Sequence, residues 1–340
     1  MTPLRPPPDT LDFRLLNDFQ RDLPLVSTPY AAMAARLGCD EATVLTRLAH
    51  LQAEGCVSRV GPVFSPRRVG ASTLAALAVP TQRLEAVADM VSACPEVNHN
   101  YQREHDWNLW FVATAEDEAA LAACLGRLRA ATRCPLIALP LEAEYHIDLG
   151  FDLAAGTKYR HGTTPRIITL EQHPPLADPE RQLMAALQAG LALEPQPFRS
   201  LAERLDQNER AILATLNSWI AAGIVKRFGV VVRHHELGYQ ANAMCVWNVP
   251  DVAADELGQR LAAEDGVTLC YRRRRAAGWP FNLYCMIHGR DRAAVLARLA
   301  ALRRDCGLAD WPGEVLFSCR RFKQRGAHYI PEPEARRAHG

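Results

Sequence analysis

Apolar residues in this chain change period part-way along, and the change happens twice. Phe13, Leu15, Leu16 and Phe19 suit one face of a helix, and Pro29 suits the first turn of a short helix over Tyr30–Leu37. Asp40 caps a helix over Glu41–Gln52, whose Val44, Leu45, Leu48 and Leu51 recur at helical spacing. Gly55 ends it, and Cys56–Phe64 reads as an extended, β-like stretch. Three helices and a short hairpin predict a winged helix-turn-helix. Beyond it come a strand (Leu74–Val79), a helix (Arg83–Ser92), a strand pair (Val97–Tyr101 and Asn108–Thr114), a helix (Glu118–Ala131) and a last strand (Ile137–Leu141). The order β-α-β-β-α-β is that of a ferredoxin-like domain.

Displaced by 168 positions, Phe13–Gly70 lies over Arg181–Gly238 without a gap. Leu15, Leu25, Pro29, Ala34, Arg36, Leu37, Leu45 and Leu48 meet Leu183, Leu193, Pro197, Ala202, Arg204, Leu205, Leu213 and Leu216. Gly55, Gly61 and Gly70 meet Gly223, Gly229 and Gly238, and matched glycines mark matched turns. The second copy then predicts Asp206 as cap, a third helix over Ala211–Trp219 and Gly223 as its stop. Strands follow at Ala243–Val249, Val267–Arg272, Asn282–Ile287 and Glu314–Ser318, with helices at Ala253–Ala263 and Arg292–Arg304.

The expected fold is α+β, two tandem copies of a winged helix-turn-helix plus a ferredoxin-like domain. Its segments are a lead (1–10), a first winged helix-turn-helix (11–66) and ferredoxin-like domain (67–154), and a Pro/Thr/Gly/His-rich linker (155–179). A second winged helix-turn-helix (180–234), a second ferredoxin-like domain (235–330) and a tail (331–340) complete it. The two ferredoxin-like sheets are expected to pack as an internal pseudo-dimer, with the substrate pocket between sheet and helix-turn-helix layers.

Composition narrows the setting. Of 340 residues, 49% are hydrophobic, enough for real cores, and no apolar run is long enough for a membrane span. The proline-rich start lacks the apolar stretch of a secretory signal. Ten cysteines are scattered without a CxxC pair, which argues against a zinc ribbon or iron–sulfur cluster and fits a reducing cytoplasm. The net charge of +1 implies no polyanionic partner, but Arg272–Arg275 form a run and Arg320, Arg321, Lys323 and Arg325 crowd one segment. Such runs are as often solvated faces as sites.

The unusual chemistry lies in the ferredoxin-like halves. The first carries His99, Tyr101, Arg103, His105, Trp107 and Trp110, then His146 after its last strand. The second carries Arg233, His234 and His235, then Tyr271, Arg272, Arg273, Arg275, Trp279 and Asn282. Arg presents a planar, permanently charged fork suited to carboxylates, aromatic rings suit a flat apolar ligand, and His suits proton transfer near neutral pH. Along a strand only alternate residues share a face, so Arg272 with Arg274 or Arg273 with Arg275 would reach one ligand.

These motifs, from His99-Asn100-Tyr101 through Trp107-Asn108-Leu109-Trp110 to Tyr145-His146-Ile147-Asp148, resemble the D-type half of the siroheme decarboxylases. Arg233-His234, Asn242-Ala243-Met244, Cys270-Tyr271-Arg272-Arg273 and Trp279-Pro280-Phe281-Asn282 resemble the L-type half. The chain is thus similar over nearly its whole length to fused NirD–NirL members of that family, itself similar in fold to Lrp/AsnC proteins. The resemblance implies removal of CO2 from the C12 and C18 acetates of siroheme, giving 12,18-didecarboxysiroheme on the way to the nitrite-reductase haem or to haem. It implies no cofactor beyond the iron-containing substrate. It makes His146, His234, His99 and His105 candidate proton donors, and Arg103, Tyr101, Trp107, Trp110, Arg233, Tyr271, Arg272, Arg273, Arg275, Trp279 and Asn282 candidate substrate contacts. Which half works is left open, as are a further homodimer and partner decarboxylase subunits.

The rival reading is an Lrp/AsnC-like transcriptional regulator responding to a tetrapyrrole or an amino acid. DNA affinity comes mostly from Lys and Arg. Met1–Val60 holds six of these against seven Asp/Glu, and Asp178–Arg227 six against six. Trp219 and Ile220 suit burial better than a groove. No DNA partner is therefore expected.

Overall fold

The computed structural model describes residues 7, 10–65, 69–147, 151–152, 157–158, 176–232 and 241–330. The candidates Arg233, His234 and His235, and the linker residues His161 and His173, lie outside the described residues. The chain forms two compact units. One comprises Met1–Gly70, Gln172–Gly238 and Gly326–Gly340, the other Ala71–Glu171 and Tyr239–Arg325. Each unit therefore takes matching pieces from both halves of the chain.

In the first unit, helices α1 (Leu11–Asp18), α2 (Pro29–Leu37) and α3 (Glu41–Ala53) lead into strand β1 (Val57–Phe64). The Asp40 side chain accepts from the Thr43 N–H at the start of α3, a cap worth about 1 kcal/mol. The repeat supplies α6 (Asp178–Gln188), α7 (Pro197–Leu205), α8 (Glu209–Ala221) and β8 (Val225–Val232). Two expectations need correction here. Asp206 is not the cap of the third helix but the left-handed residue closing α7, while Asn208 accepts from the Arg210 and Ala211 N–H groups at the start of α8. Nor, among the described residues, does either half pair its own wing strands: β1 pairs antiparallel with β8, with Gly61 opposite Gly229.

A residue paired with its own repeat copy marks a local two-fold axis, the signature of an isologous contact. Gly229 is required there, because a Cβ would lie 2.3 Å from the Phe19 carbonyl oxygen. Trp219 is buried and donates to Glu180, as its apolar character suggested, but Ile220 is 39% exposed. On α3, Arg47 is held by Asp12, with Nε 2.8 Å from Oδ1.

The second unit is a closed eight-stranded barrel. The first half contributes β2 (Ala71–Leu77), α4 (Leu84–Ala93), β3 (Val97–Arg103), β4 (Leu109–Ala115), α5 (Glu118–Thr132) and β5 (Leu136–Ile147). A two-residue ladder follows, β6 (Phe151–Asp152) with β7 (Thr157–Lys158). The second half contributes β9 (Ala241–Trp247), α9 (Asp251–Ala263), β10 (Val267–Arg273), β11 (Leu283–Gly289), α10 (Arg292–Asp305) and β12 (Gly313–Gln324). Around the barrel the order is β10-β11-β9-β12-β3-β4-β2-β5.

The last strand of each half runs to twelve residues, far beyond the expected Ile137–Leu141 and Glu314–Ser318. The first part of β5 pairs with β2 of its own half and the remainder with β10 of the other. Likewise β12 pairs first with β9 and then with β3. The two sheets thus close each other, which removes the exposed edges that a lone four-stranded sheet would leave. Helices α4 and α5 cover one sheet through Val87, Val91, Leu121 and Cys124, and α9 and α10 cover the other through Leu257, Leu261, Val295 and Leu299. Among the described residues no helix is long and apolar enough to cross a membrane.

Candidate functional site

The strand faces turned away from the helices meet in a core drawn from both halves: Leu74, Trp110 and Leu139 with Met244, Tyr271, Trp279, Tyr284 and Leu316. Into this core each half sends one guanidinium. Arg103 ends β3 and is 7% exposed; Nη1 donates to the Leu316 carbonyl at 2.9 Å, and the group lies 5.9 Å from the Tyr101 ring. Arg273 ends β10 and is 9% exposed; Nη1 donates to the Leu139 carbonyl at 2.7 Å, and the group lies 4.6 Å from the Tyr271 ring. Among the described residues neither makes a salt bridge to a carboxylate, and both Nε atoms are buried without a hydrogen-bond partner. Burial lowers the Arg103 pKa from its ordinary value, partly offset by the neighbouring Tyr271 and Tyr101. Two buried cations without counter-ions are a standing attraction for carboxylates.

His99, Tyr101 and Arg103 alternate along β3, so they share one face. His99 is half-buried, stacks on Tyr101 at 6.3 Å and has Nδ1 2.7 Å from Asn98 Oδ1. Burial pushes its pKa down to about 4, so at neutral pH the ring is neutral. Burial also raises the Tyr101 phenol, against the opposing pull of Arg321 and Arg103.

At the hairpin tips, His105 Nδ1 accepts from the Trp107 backbone N–H at 2.8 Å, leaving Nε2 to contact Glu314 Oε2 at 2.8 Å. Its ring stands edge-on to Trp279 at 5.3 Å, and Trp279 meets Trp110 at 5.0 Å and Phe281 at 4.9 Å. Trp279 donates to the Tyr284 hydroxyl at 2.7 Å and Trp110 to the Trp107 carbonyl at 2.5 Å. Trp107 borders a 480 Å³ cleft floored by Leu136, Ile137 and Ala138.

The arginine run divides. Arg273 turns inward, while Arg272 bonds Asp255 at 2.8 Å and, with Arg274, flanks Glu142. Arg275 is fully engaged by Asp251, Asn248, Val249 and Pro280. Arg272 and Arg274 thus share Glu142, whereas Arg273 and Arg275 part company because β10 ends at Arg273. Asn282 is likewise engaged: its amide accepts from Val249 N–H and donates to the Val249 carbonyl and Asp251. Asn108 makes the same backbone latch to Val79 in the first half.

His146 lies on the cross-half part of β5, opposite Cys270, and is half-buried. Beside it, the Tyr145 hydroxyl donates to Asp255 at 2.6 Å, its ring set against Gly258, where a Cβ would come within 2.2 Å. Burial, then Asp255, raises the Tyr145 phenol. Glu144 is buried opposite Tyr271. Sequence reasoning missed Glu314, Asp255 and Glu144 because each meets its neighbours across the half-chain boundary or from a covering helix, where no local spacing signals it.

Comparison with known proteins agrees with this doubled architecture. The sequence model of an AsnC-like ligand binding domain matches residues 68–146 and 236–323. That of a siroheme decarboxylase NirDL-like HTH domain matches 12–57 and 180–225. The siroheme decarboxylase NirDL subunit of Paracoccus denitrificans is 47% identical over 320 residues, 94% of this chain and 97% of that one. The chain belongs to the siroheme decarboxylase NirDL family. A crystal structure of a siroheme decarboxylase NirDL superposes with a TM-score of 0.71 at 29% identity, covering 94% of both chains. A NirDL in co-complex with an iron-uroporphyrin III analogue superposes with 0.70, with the same identity and coverage. This NirDL-family chain thus shares its overall fold with the solved NirDL structures.

Proposed function

We propose that this chain is a siroheme decarboxylase that removes CO2 from the C12 and C18 acetate side chains of siroheme, giving 12,18-didecarboxysiroheme for synthesis of the nitrite-reductase haem. The observation that carries this is the 47% identity to a siroheme decarboxylase NirDL subunit across 94% of the chain. The solved relative bound to an iron-uroporphyrin III analogue supports a carboxylate-bearing tetrapyrrole as substrate.

The geometry suits such a ligand. Siroheme is a flat macrocycle rimmed by eight carboxylates, so it calls for cations at the rim and aromatic walls across the face. Arg103 and Arg273 are assigned to carboxylates, Tyr101 and Tyr271 to orienting those guanidiniums, and Trp107 and Trp279 to the apolar wall. Loss of CO2 from a pyrrole acetate leaves an electron pair that the macrocycle takes up, and the new methyl carbon then needs a proton. His146 and His234 are assigned as its donors. His99, neutral at pH 7, suits contact with substrate better than donation, and His105 is held by Trp107 and Glu314. The reading needs no cofactor apart from the substrate and no DNA, and places the protein in the cytoplasm.

Anaerobic incubation of the purified protein with siroheme, followed by mass analysis of the tetrapyrrole, tests it. Loss of two CO2 is expected, and His146→Ala and His234→Ala then assign the donor. Tight binding without mass loss would remove the reading and favour the ligand-responsive regulator.

A further inference from the structure

A cluster of donor atoms sits on the helix-covered side of the first sheet, away from the barrel core. Cys94 caps the C-terminus of α4, Glu96 leads into β3, and Cys124 lies on α5. The Cys94 sulfur is 3.5 Å from the Cys124 sulfur and 3.0 Å from Glu96 Oε2. All three donor atoms lie within 4.8 Å of one another. Cys124 is fully buried, whereas Cys94 and Glu96 are partly exposed and leave a way in from solvent.

The repeat shows what this place normally does. Glu264 caps α9 as Cys94 caps α4, and Arg298 lies seven residues beyond the N-cap Asp291 just as Cys124 lies seven beyond Asp117. In the second half these positions form an ion pair at 2.8 Å, and Arg298 also donates to the Asp265 carbonyl. The first half has two thiols there and adds a carboxylate, where the second half has Gly266. Two neutral thiols are a far weaker tie than a charged pair. The loop is nonetheless held in place: Lys323 donates to the Ser92 and Cys94 carbonyls and Arg325 to that of Pro95, and Arg127 takes the other Glu96 oxygen.

We propose that Cys94, Cys124 and Glu96 form a binding site for a thiophilic divalent cation of the Zn(II) class, with water as fourth ligand. A tetrahedral site with Zn–S of about 2.3 Å and Zn–O of about 2.0 Å separates its sulfurs by about 3.8 Å and each sulfur from oxygen by about 3.5 Å. The observed Cys94–Cys124 and Cys94–Glu96 separations of 3.5 and 3.0 Å reach that by opening by about half an ångström or less. The Cys124–Glu96 separation is within 4.8 Å, close enough for a small side-chain rotation to bring it to the same value. Binding releases the two thiol protons to solvent while the metal takes up both thiolates. Thiolate ligands favour zinc-like ions over magnesium or calcium. The bound ion ties the end of α4 to α5, as the Glu264–Arg298 pair ties α9 to α10.

The test is anaerobic titration of the reduced, metal-free full-length chain with Co(II), followed by displacement with Zn(II). The expected result is a thiolate-to-cobalt charge-transfer band saturating at one equivalent per chain, absent from Cys94→Ser and from Cys124→Ser. Glu96→Gln, which keeps size and fold, weakens binding by roughly tenfold or more. The proposal is overturned by absence of the band in the unaltered chain, by a band that survives both cysteine variants, or by unchanged affinity in Glu96→Gln. Conversion of the two thiols to a disulfide by mild peroxide, in a chain that gives no cobalt band when reduced, would instead make them a redox pair.

Discussion

The two hairpins of the barrel share a skeleton and differ in chemistry. Asn108 and Asn282 latch their strands to the Val79 and Val249 backbones in the same way. Arg103 and Arg273 enter the core in the same way, each donating to the other half's last strand. Around that skeleton the first half places His99 and His105, whereas the second places Leu269 and an arginine cluster paired with Glu142, Asp251 and Asp255. What duplicates is what closes the barrel; what diverges is what titrates. Divergence of that kind suits an asymmetric task, such as holding one face of a ligand while reacting at another.

The sharpest way to break the comparison is to remove the side chain in which both halves meet. Trp279 is 1% exposed and touches His105, Trp110 and Phe281. Trp279→Ala should cost about 3–5 kcal/mol in denaturant unfolding, with the barrel strands of both halves lost in one transition. Two separate transitions would mean that the halves fold independently despite their shared strands.

Next in size are the paired cations. Arg103→Gln and Arg273→Gln each remove a charged donor from a buried carbonyl, at about 1.5–3 kcal/mol. If both guanidiniums hold substrate carboxylates, each variant also raises KM for siroheme by about tenfold with little change in kcat. A rise in only one names the half that anchors the ligand, and none in either confines both to scaffolding.

These pairs also show what could be read from the chain. Helical spacing and the repeat located the helices, the barrel strands and the order β-α-β-β-α-β, because those signals are local. The long end of β12 was not legible, because Arg320, Arg321, Lys323 and Gln324 leave no apolar alternation. That of β5 was: Leu141, Ala143, Tyr145 and Ile147 alternate with Glu142, Glu144 and His146, and the expected strand simply stopped too early at Leu141. The wing strands misled for another reason, since β1 finds its partner in β8 rather than next door. Asp206 was a different error. Repeat register aligns Asp40 with Asn208 and Gly38 with Asp206, so the repeat itself held the right cap. At the candidate site, the Arg and aromatic residues on hairpins were legible as a dense polar motif. Their division into inward Arg273 and outward Arg272, Arg274 and Arg275 depends on where β10 stops.

Two smaller effects centre on the histidines of the first half, His99 and His105. Burial holds the His99 pKa at about 4, below the ordinary 6.5, so between those values the unfolded chain binds a proton that the folded one refuses. The stability from this group is fully present above pH 6.5, falls as the pH drops toward 4 and is lost below. The loss is on the order of 2 kcal/mol for a half-buried ring. His99→Leu, which matches Leu269 of the second half, should flatten that part of the stability–pH curve. An unchanged slope would assign the acid sensitivity to other groups.

Glu314→Gln should have the smallest effect. The carboxylate is 43% exposed, so its pairing with His105 contributes less than about 1 kcal/mol to stability. Its value lies in separating two roles for His105. The Trp107 N–H occupies Nδ1, so only Nε2 can exchange a proton, and Glu314 is the group that faces it. If His105 takes part in protonating the product, Glu314→Gln lowers kcat several-fold at unchanged KM and unchanged unfolding midpoint. If kcat holds, His105 and Glu314 only fasten the first hairpin to β12, and proton delivery rests with His146 and His234.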